Sequence, residues 1–284
     1  MSERRLLVCF AHPDDEAFPV GGALALHAHQ GVKIRLVTTT LGEEGEIRQP
    51  GLATQETLGL TRKLELAASA ETLGIHEHSV LGYRDSGMAG TAPNNHPDAY
   101  INVPDELIVE QLVKHIREFK PQVLLTFENG GLYGHPDHIA ISRQTTQAFT
   151  LASDPSQFPH QLVDGLKPHK PDRLFYSARP VGFRMEWALK LQEAGIEIEL
   201  PTPERASEGT PADEIHLEMD VSEHLDTKIA CIKCHQTQMA PDWPYEKVPR
   251  ALAASILGRE HYIRAWPEVS PGESMSNNFF HSLK

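Results

Sequence analysis

The chain has 284 residues, 40% hydrophobic and 23% charged, an ordinary globular composition for one large domain or two small ones. Its formal net charge of −13 argues against non-specific binding to nucleic acid or anionic membrane, and no apolar run nears the ~20 residues a bilayer span needs. Three cysteines are too few for a disulfide framework, and the N-terminus runs into a strand-like stretch without a signal-peptide core, so a cytoplasmic location is expected.

In chain order, residues 6–11 form a continuous apolar run, as a central parallel strand buried on both faces requires. Residues 17–30 read as a helix stopped by Gly31, and 32–40 as a β-branched strand. A Gly- and Glu-rich loop (41–59) leads to a helix over 62–73, stopped by Gly74, and a strand over 75–82. Residues 83–104 are polar and rich in Gly, Pro and Asn, a length that in a compact domain signals function or disorder. Asp105 is read as the cap of a helix reaching Phe119, with Leu107, Ile108, Leu112, Val113 and Ile116 at helical spacing. A strand over 123–127, a helix over 136–152 and a fifth strand over 173–178 complete a β-α alternation. It predicts a Rossmann-like, mostly parallel sheet with helices on both faces.

Beyond about residue 180 the pattern weakens. Helices are expected over 186–194, 221–238 and 248–257, with a Pro-rich loop over 196–213. Without an internal repeat or a clear linker, residues 1–284 read as one domain: a metal-binding core (1–180) and a C-terminal elaboration (181–284) packed on it. Cys231-Ile232-Lys233-Cys234 lies in a helical context and not at a strand-to-helix turn, which favours a structural over a redox role.

Two motifs carry the chemistry. Ala11-His12-Pro13-Asp14-Asp15-Glu16 follows the first strand, and Gly134-His135-Pro136-Asp137-His138 follows the 123–127 strand after a short Gly-rich loop. Either alone could be a helix start, with proline in the first turn and acids favoured by the helix dipole. As a pair after buried strands they read as a site, because open α/β sheets bind ligands at the carboxyl ends of their strands. His12, Asp15 and His138 would give a divalent metal two neutral imidazoles and one carboxylate, leaving room for a water whose pKa falls towards ~7. Zinc suits that set, and so does iron(II). Asp14 could take the water's proton, His135 could donate to an oxyanion, and Asp137 could hold His135 in the right tautomer. A nucleotide-binding sheet is the competing class, but no Gly-x-Gly-x-x-Gly follows the first strand.

These motifs resemble those of the PIG-L/LmbE-like zinc-dependent deacetylases, which remove acetyl groups from N-acetylglucosaminyl compounds and include the deacetylases of mycothiol and bacillithiol synthesis. The resemblance spans roughly residues 6–178, with weaker support from Lys228, Ala230, His235 and Gln238. It implies zinc ligands His12, Asp15 and His138, Asp14 as general base, and His135 at the oxyanion held by Asp137. Tyr133 matches a mobile tyrosine that polarises the substrate carbonyl, with a gate or packing aromatic as the alternative. Arg62 matches a substrate-contacting arginine, against a helix-surface residue facing water. Asp85 matches an acceptor for a sugar hydroxyl.

The 83–104 loop most resembles the mycothiol-type branch, while Phe18-Pro19-Val20-Gly21-Gly22 is closer to general or bacillithiol-side members. Pro19 stands where the mycothiol-conjugate amidase carries a lysine. The resemblance therefore implies deacetylation of a small, soluble GlcNAc metabolite of the GlcNAc-malate or GlcNAc-inositol type. The alternative is an amidase for a thiol conjugate or other non-sugar amide at the same centre. Members of the family are often oligomeric, which leaves a homo-oligomer as an open expectation.

Overall fold

Five apolar runs become parallel strands: β1 (Arg5–Phe10), β2 (Lys33–Thr40), β3 (Glu77–Tyr83), β4 (Val123–Phe127) and β5 (Arg173–Ala178). The computed structural model describes residues 3–163, 165–270, 273 and 277–283. β1 and β4 lie side by side at the centre of the sheet, with Leu6 opposite Val123 and Val8 opposite Leu125. Every residue of β4 is buried, as is β1 after its first, which is why both read as unbroken apolar runs. β3 at the sheet edge is only partly buried.

The sheet has seven strands in the order β3-β2-β1-β4-β5-β7-β6. The last two, β6 (Leu217–Asp220) and β7 (Arg259–Trp266), come from the C-terminal third and run antiparallel, β7 pairing with both β5 and β6. The C-terminal elaboration packs on the core as expected and, beyond that, extends the sheet by two strands. β6 has four residues, and the inward positions of β7 include Glu260 and Arg264, so neither carries an apolar signature. The same third also builds a smaller apolar cluster around Leu191, Leu225, Tyr245 and Ile256.

The helices are α1 (Gly21–His29), α2 (Leu58–Leu73), α3 (Asp105–Phe119), α4 (Pro136–Leu151), α5 (Phe183–Glu193), α6 (Leu225–Cys234) and α7 (Arg250–Leu257). α1, α2 and α6 pack together, and α3 packs on α4. α1 starts later than its sequence suggests because Glu260 sets its first turn: the carboxylate accepts the N–H groups of Gly22 and Ala23, each at 2.8 Å. Gly22 is required there, since a Cβ would meet Val221 at 2.4 Å. Asp105 is the first helical residue of α3 and not its cap; its carboxylate accepts from Arg143 and Gln144 on α4. α6 is shorter than the expected 221–238, with 3₁₀ turns at Ser222–His224 and Gln236–Gln238. Cys231 and Cys234 both lie on α6 and are free thiols. Among the described residues no helix is long and apolar enough to cross a membrane.

Candidate active site

From β1 the chain moves outward through β2 and β3, and from β4 it moves the other way to β5, so the strand order reverses between β1 and β4. That is the switch point where an open α/β sheet leaves a crevice at its carboxyl edge. The two motifs follow those two strands and meet there.

His12 Nδ1 and His138 Nε2 lie 3.1 Å apart. Asp15 Oδ1 is 3.3 Å from His138 Nε2 and Asp15 Oδ2 is 3.8 Å from His12 Nδ1. Donors around a tetrahedral ion with bonds of ~2.0–2.1 Å sit about 3.3 Å apart, close to the spacing of the two imidazole nitrogens from each other and of His138 from the Asp15 carboxylate. Each donor is fixed from behind. Asp15 Oδ2 accepts the N–H groups of His12 at 2.8 Å and Ala11 at 3.2 Å. His138 turns Nδ1 to the Gly131 carbonyl at 3.2 Å and stacks flat on Phe127, ring centres 4.1 Å apart. Gly131 has φ +66°, and a Cβ there would come within 2.7 Å of His138 Cβ. His12 turns Nε2 to Asp137 Oδ2 at 3.2 Å and Asp85 Oδ1 at 3.5 Å. Such acceptors fix the tautomer and leave the inward nitrogens free to bind.

Charge preferences differ from member to member of the cluster. Burial disfavours a charged His12, but Asp85, Asp137 and Asp15 override it and raise its pKa well above the usual range. Burial, with the neighbouring His12, keeps His138 neutral. Burial, with Asp14 beside it, pushes Asp15 up to about 7 against the pull of His12. Two imidazole nitrogens and a carboxylate converging at these distances are a donor set that fits a divalent metal. His135 also brings a ring nitrogen close to His12 and His138, and His12, Asp85 and Asp137 form a second convergent group.

Asp14 stands beside this cluster with its side chain 22% exposed and its backbone at φ 109°, a conformation uncommon outside glycine. Glu16 accepts the Asp14 N–H at 3.0 Å and is itself held by Ser69 and by His235 at 2.6 Å. Burial raises the pKa of Asp14, against Arg62. Arg62, 3.4 Å from the Asp14 carboxylate, is 3% exposed, which removes the reading of a surface residue facing water. It donates to the Gly42 carbonyl at 2.8 Å and to that of Pro13. Gly42 has no room for a Cβ, which would fall 2.1 Å from Arg62 Nη1.

Asp137 departs from expectation. Its carboxylate faces His12 and accepts the Ser86 N–H at 3.0 Å, while His135 Nδ1 accepts the backbone N–H of Asp137. The main chain therefore orients His135, and the Asp137 carboxylate orients His12. With Nδ1 accepting, a neutral His135 carries its proton on Nε2; burial, and then His12, push its pKa down to about 4. Asp85 is 3% exposed and holds the N–H groups of Glu44 at 3.1 Å and Gly87 at 2.8 Å, so it acts here as a tie between loops behind His12. Tyr133 is 43% exposed, with its hydroxyl 3.4 Å from His138 Nε2.

Four residues around this site carried no assignment from the sequence: Glu16, His235, Glu128 and Arg179. Glu128 and Arg179 directly follow β4 and β5, so the carboxyl-edge rule could have flagged both. Arg179 donates to the Leu132 carbonyl at 2.5 Å; burial, and then Arg184, lower its pKa to about 10, leaving it charged at neutral pH.

A carboxylate, that of Asp14, thus stands beside a His–Asp cluster at the switch point of a parallel sheet, where such sheets bind their ligands. The chain belongs to the PIG-L family, described as GlcNAc-PI de-N-acetylase, which it matches over residues 7–149. It is 35% identical over 272 residues to a 1D-myo-inositol 2-acetamido-2-deoxy-alpha-D-glucopyranoside deacetylase of Thermobispora bispora, covering 92% of this chain and 88% of that one. Its fold resembles the N,N'-diacetylchitobiose deacetylase of Pyrococcus horikoshii, with a TM-score of 0.65, 18% identity, and 93% and 84% of the two chains covered. It also resembles a 4-carboxy-2-hydroxymuconate hydratase of Pseudomonas putida, with a TM-score of 0.61, 20% identity, and 96% and 100% covered. A fold shared with a hydratase does not itself specify amide hydrolysis; that conclusion rests on the site and the sequence family.

Proposed function

We propose that this chain hydrolyses the acetamide of a small, soluble 2-acetamido-2-deoxyglucoside whose aglycone is a polyol of the inositol type. The observation that carries the reading is the His12–His138–Asp15 triangle with Asp14 beside it. The substrate class rests on relatives named for an inositol acetamidoglucoside.

His12, Asp15 and His138 would hold the metal, zinc or iron(II). Such an ion supplies Lewis acidity, polarising an amide carbonyl and making water acidic enough to lose a proton near neutral pH. Asp14 accepts that proton as the water oxygen attacks the acetyl carbon, and its raised pKa suits it to pass the proton to the departing amine. His135 Nε2–H donates to the carbonyl oxygen as negative charge builds there, and the Tyr133 hydroxyl provides a second donor. Asp137 and Asp85 keep His12 Nδ1 turned inward. Arg62 ties Asp14 to the loop around Gly42. The products are acetate and a free glucosaminide.

The test is acetate release by the zinc- or iron(II)-loaded protein from GlcNAc-inositol, GlcNAc-malate and a thiol-conjugate amide. Turnover fastest on GlcNAc-inositol supports the reading. Preference for the non-sugar amide would make this an amidase, and no release from any GlcNAc compound would sink the sugar assignment.

A further inference from the structure

Leu132, next to the site, is held in a strained backbone conformation. It has φ 64° and ψ −37°, a region L-residues avoid and close to that of the rare γ-turn. Its peptide groups are gripped from both sides by charged side chains. Glu128 Oε1 accepts the Leu132 N–H at 2.6 Å, and the same carboxylate accepts the N–H of Gly130. Arg179, from the end of the neighbouring strand, donates to the Leu132 carbonyl. Charge-assisted bonds of this kind are stronger than neutral ones, and can hold backbone in a conformation it would otherwise leave. The next residue is Tyr133, which extends from Leu132 to place its hydroxyl near His138 and its ring edge-on to the His138 ring, centres 4.9 Å apart. Tyr133 itself is 43% exposed, its ring resting on the edges of His135 and His138.

We propose that Glu128 and Arg179 are positioning residues for the deacetylation: a two-ended clamp on the Leu132 peptide that keeps Tyr133 aimed at the His12–His138 centre. With the clamp open, Leu132 relaxes to negative φ and Tyr133 swings away from the reacting carbonyl. The catalytic consequence rests on the role of Tyr133 proposed above, whereas the clamp itself is a statement about the backbone of residues 128–134.

Two readouts separate these parts. Amide hydrogen exchange over 129–134 reads the clamp. In Arg179→Met it should accelerate by roughly 10- to 100-fold, the loss expected for one hydrogen bond to a charged group, while exchange over 5–10 stays unchanged. Arg179→Lys, which keeps a cationic donor, should restore much of the protection. Turnover on GlcNAc-inositol reads the consequence. Arg179→Met should lower kcat by about tenfold with metal content intact, and should cost nothing further in a Tyr133→Phe background, because the two residues act through one hydroxyl. Unchanged exchange in Arg179→Met overturns the clamp. Losses in kcat that multiply with Tyr133→Phe overturn it as a device for Tyr133 and make Arg179 an independent contributor. Accelerated exchange with full activity in both single variants supports the clamp and sinks the catalytic role of Tyr133.

Discussion

Asp14 and Asp15 are neighbours in sequence that the fold holds in different ways. Asp15 has its carboxylate pinned by two backbone N–H groups, whereas Asp14, at φ 109°, is turned out beside the cluster and faces Arg62. Asp14→Asn should therefore retain metal, measured by elemental analysis, while kcat falls by roughly 10²- to 10⁴-fold, the usual worth of a general base. Asp137→Ala should behave differently. It releases the Nε2 side of His12, so metal affinity by competition with a chelator should drop about 10- to 100-fold. The cluster of His12, Asp14, Asp15 and His138 was legible in the sequence because both motifs are local. The partner of Asp137 was not, because it depends on where Ser86 and His12 arrive from distant strands. The burial of Arg62 was hidden for the same reason: it is enclosed by the loop around Gly42 and by Pro13.

Among the elements, β1, β4 and β5 announced themselves through unbroken apolar runs, since both of their faces are covered. β7 did not, because it spends inward positions on Glu260 and Arg264, which bond to α1 and to Glu273. α1 carries a pH-sensitive contact of its own. His27 Nδ1 donates to the Ala23 carbonyl at 2.7 Å and its ring stacks on Phe279, ring centres 4.8 Å apart. Burial lowers its pKa, so the folded state prefers the neutral ring more strongly than the unfolded chain does. Its contribution is full above the unfolded value of ~6.5 and is lost as pH falls from there through the folded value. His27→Leu should accordingly flatten the fall in urea midpoint below pH ~6.5 relative to the wild-type chain.

At the scale of the molecule, the C-terminal third is joined to the N-terminal motif through buried charge. Lys228 on α6 and Glu260 on β7 form an ion pair of 2.7 Å, 3% and 1% exposed, and the same carboxylate takes the Tyr262 hydroxyl at 2.7 Å and the first N–H groups of α1. Removing one member of such a pair leaves the other buried without compensation. Glu260→Gln should cost about 3–5 kcal/mol in denaturant unfolding. Replacement of both Lys228 and Glu260 by apolar residues should cost more than the single change, because it also leaves the N–H groups of Gly22 and Ala23 and the Tyr262 hydroxyl without their acceptor.

The reach of Glu260 also sets an order of events during synthesis. It is 238 positions beyond the Gly22 N–H it accepts, and His235 is 219 beyond Glu16. At roughly 5–20 residues per second, a ribosome leaves motif one waiting about 10–50 s for the groups that brace it. During that interval the nascent chain can already expose His12, Asp14 and Asp15 without their native supports. The bracing of Glu16 and of the start of α1 is therefore completed late in synthesis, only after residue 260 has emerged.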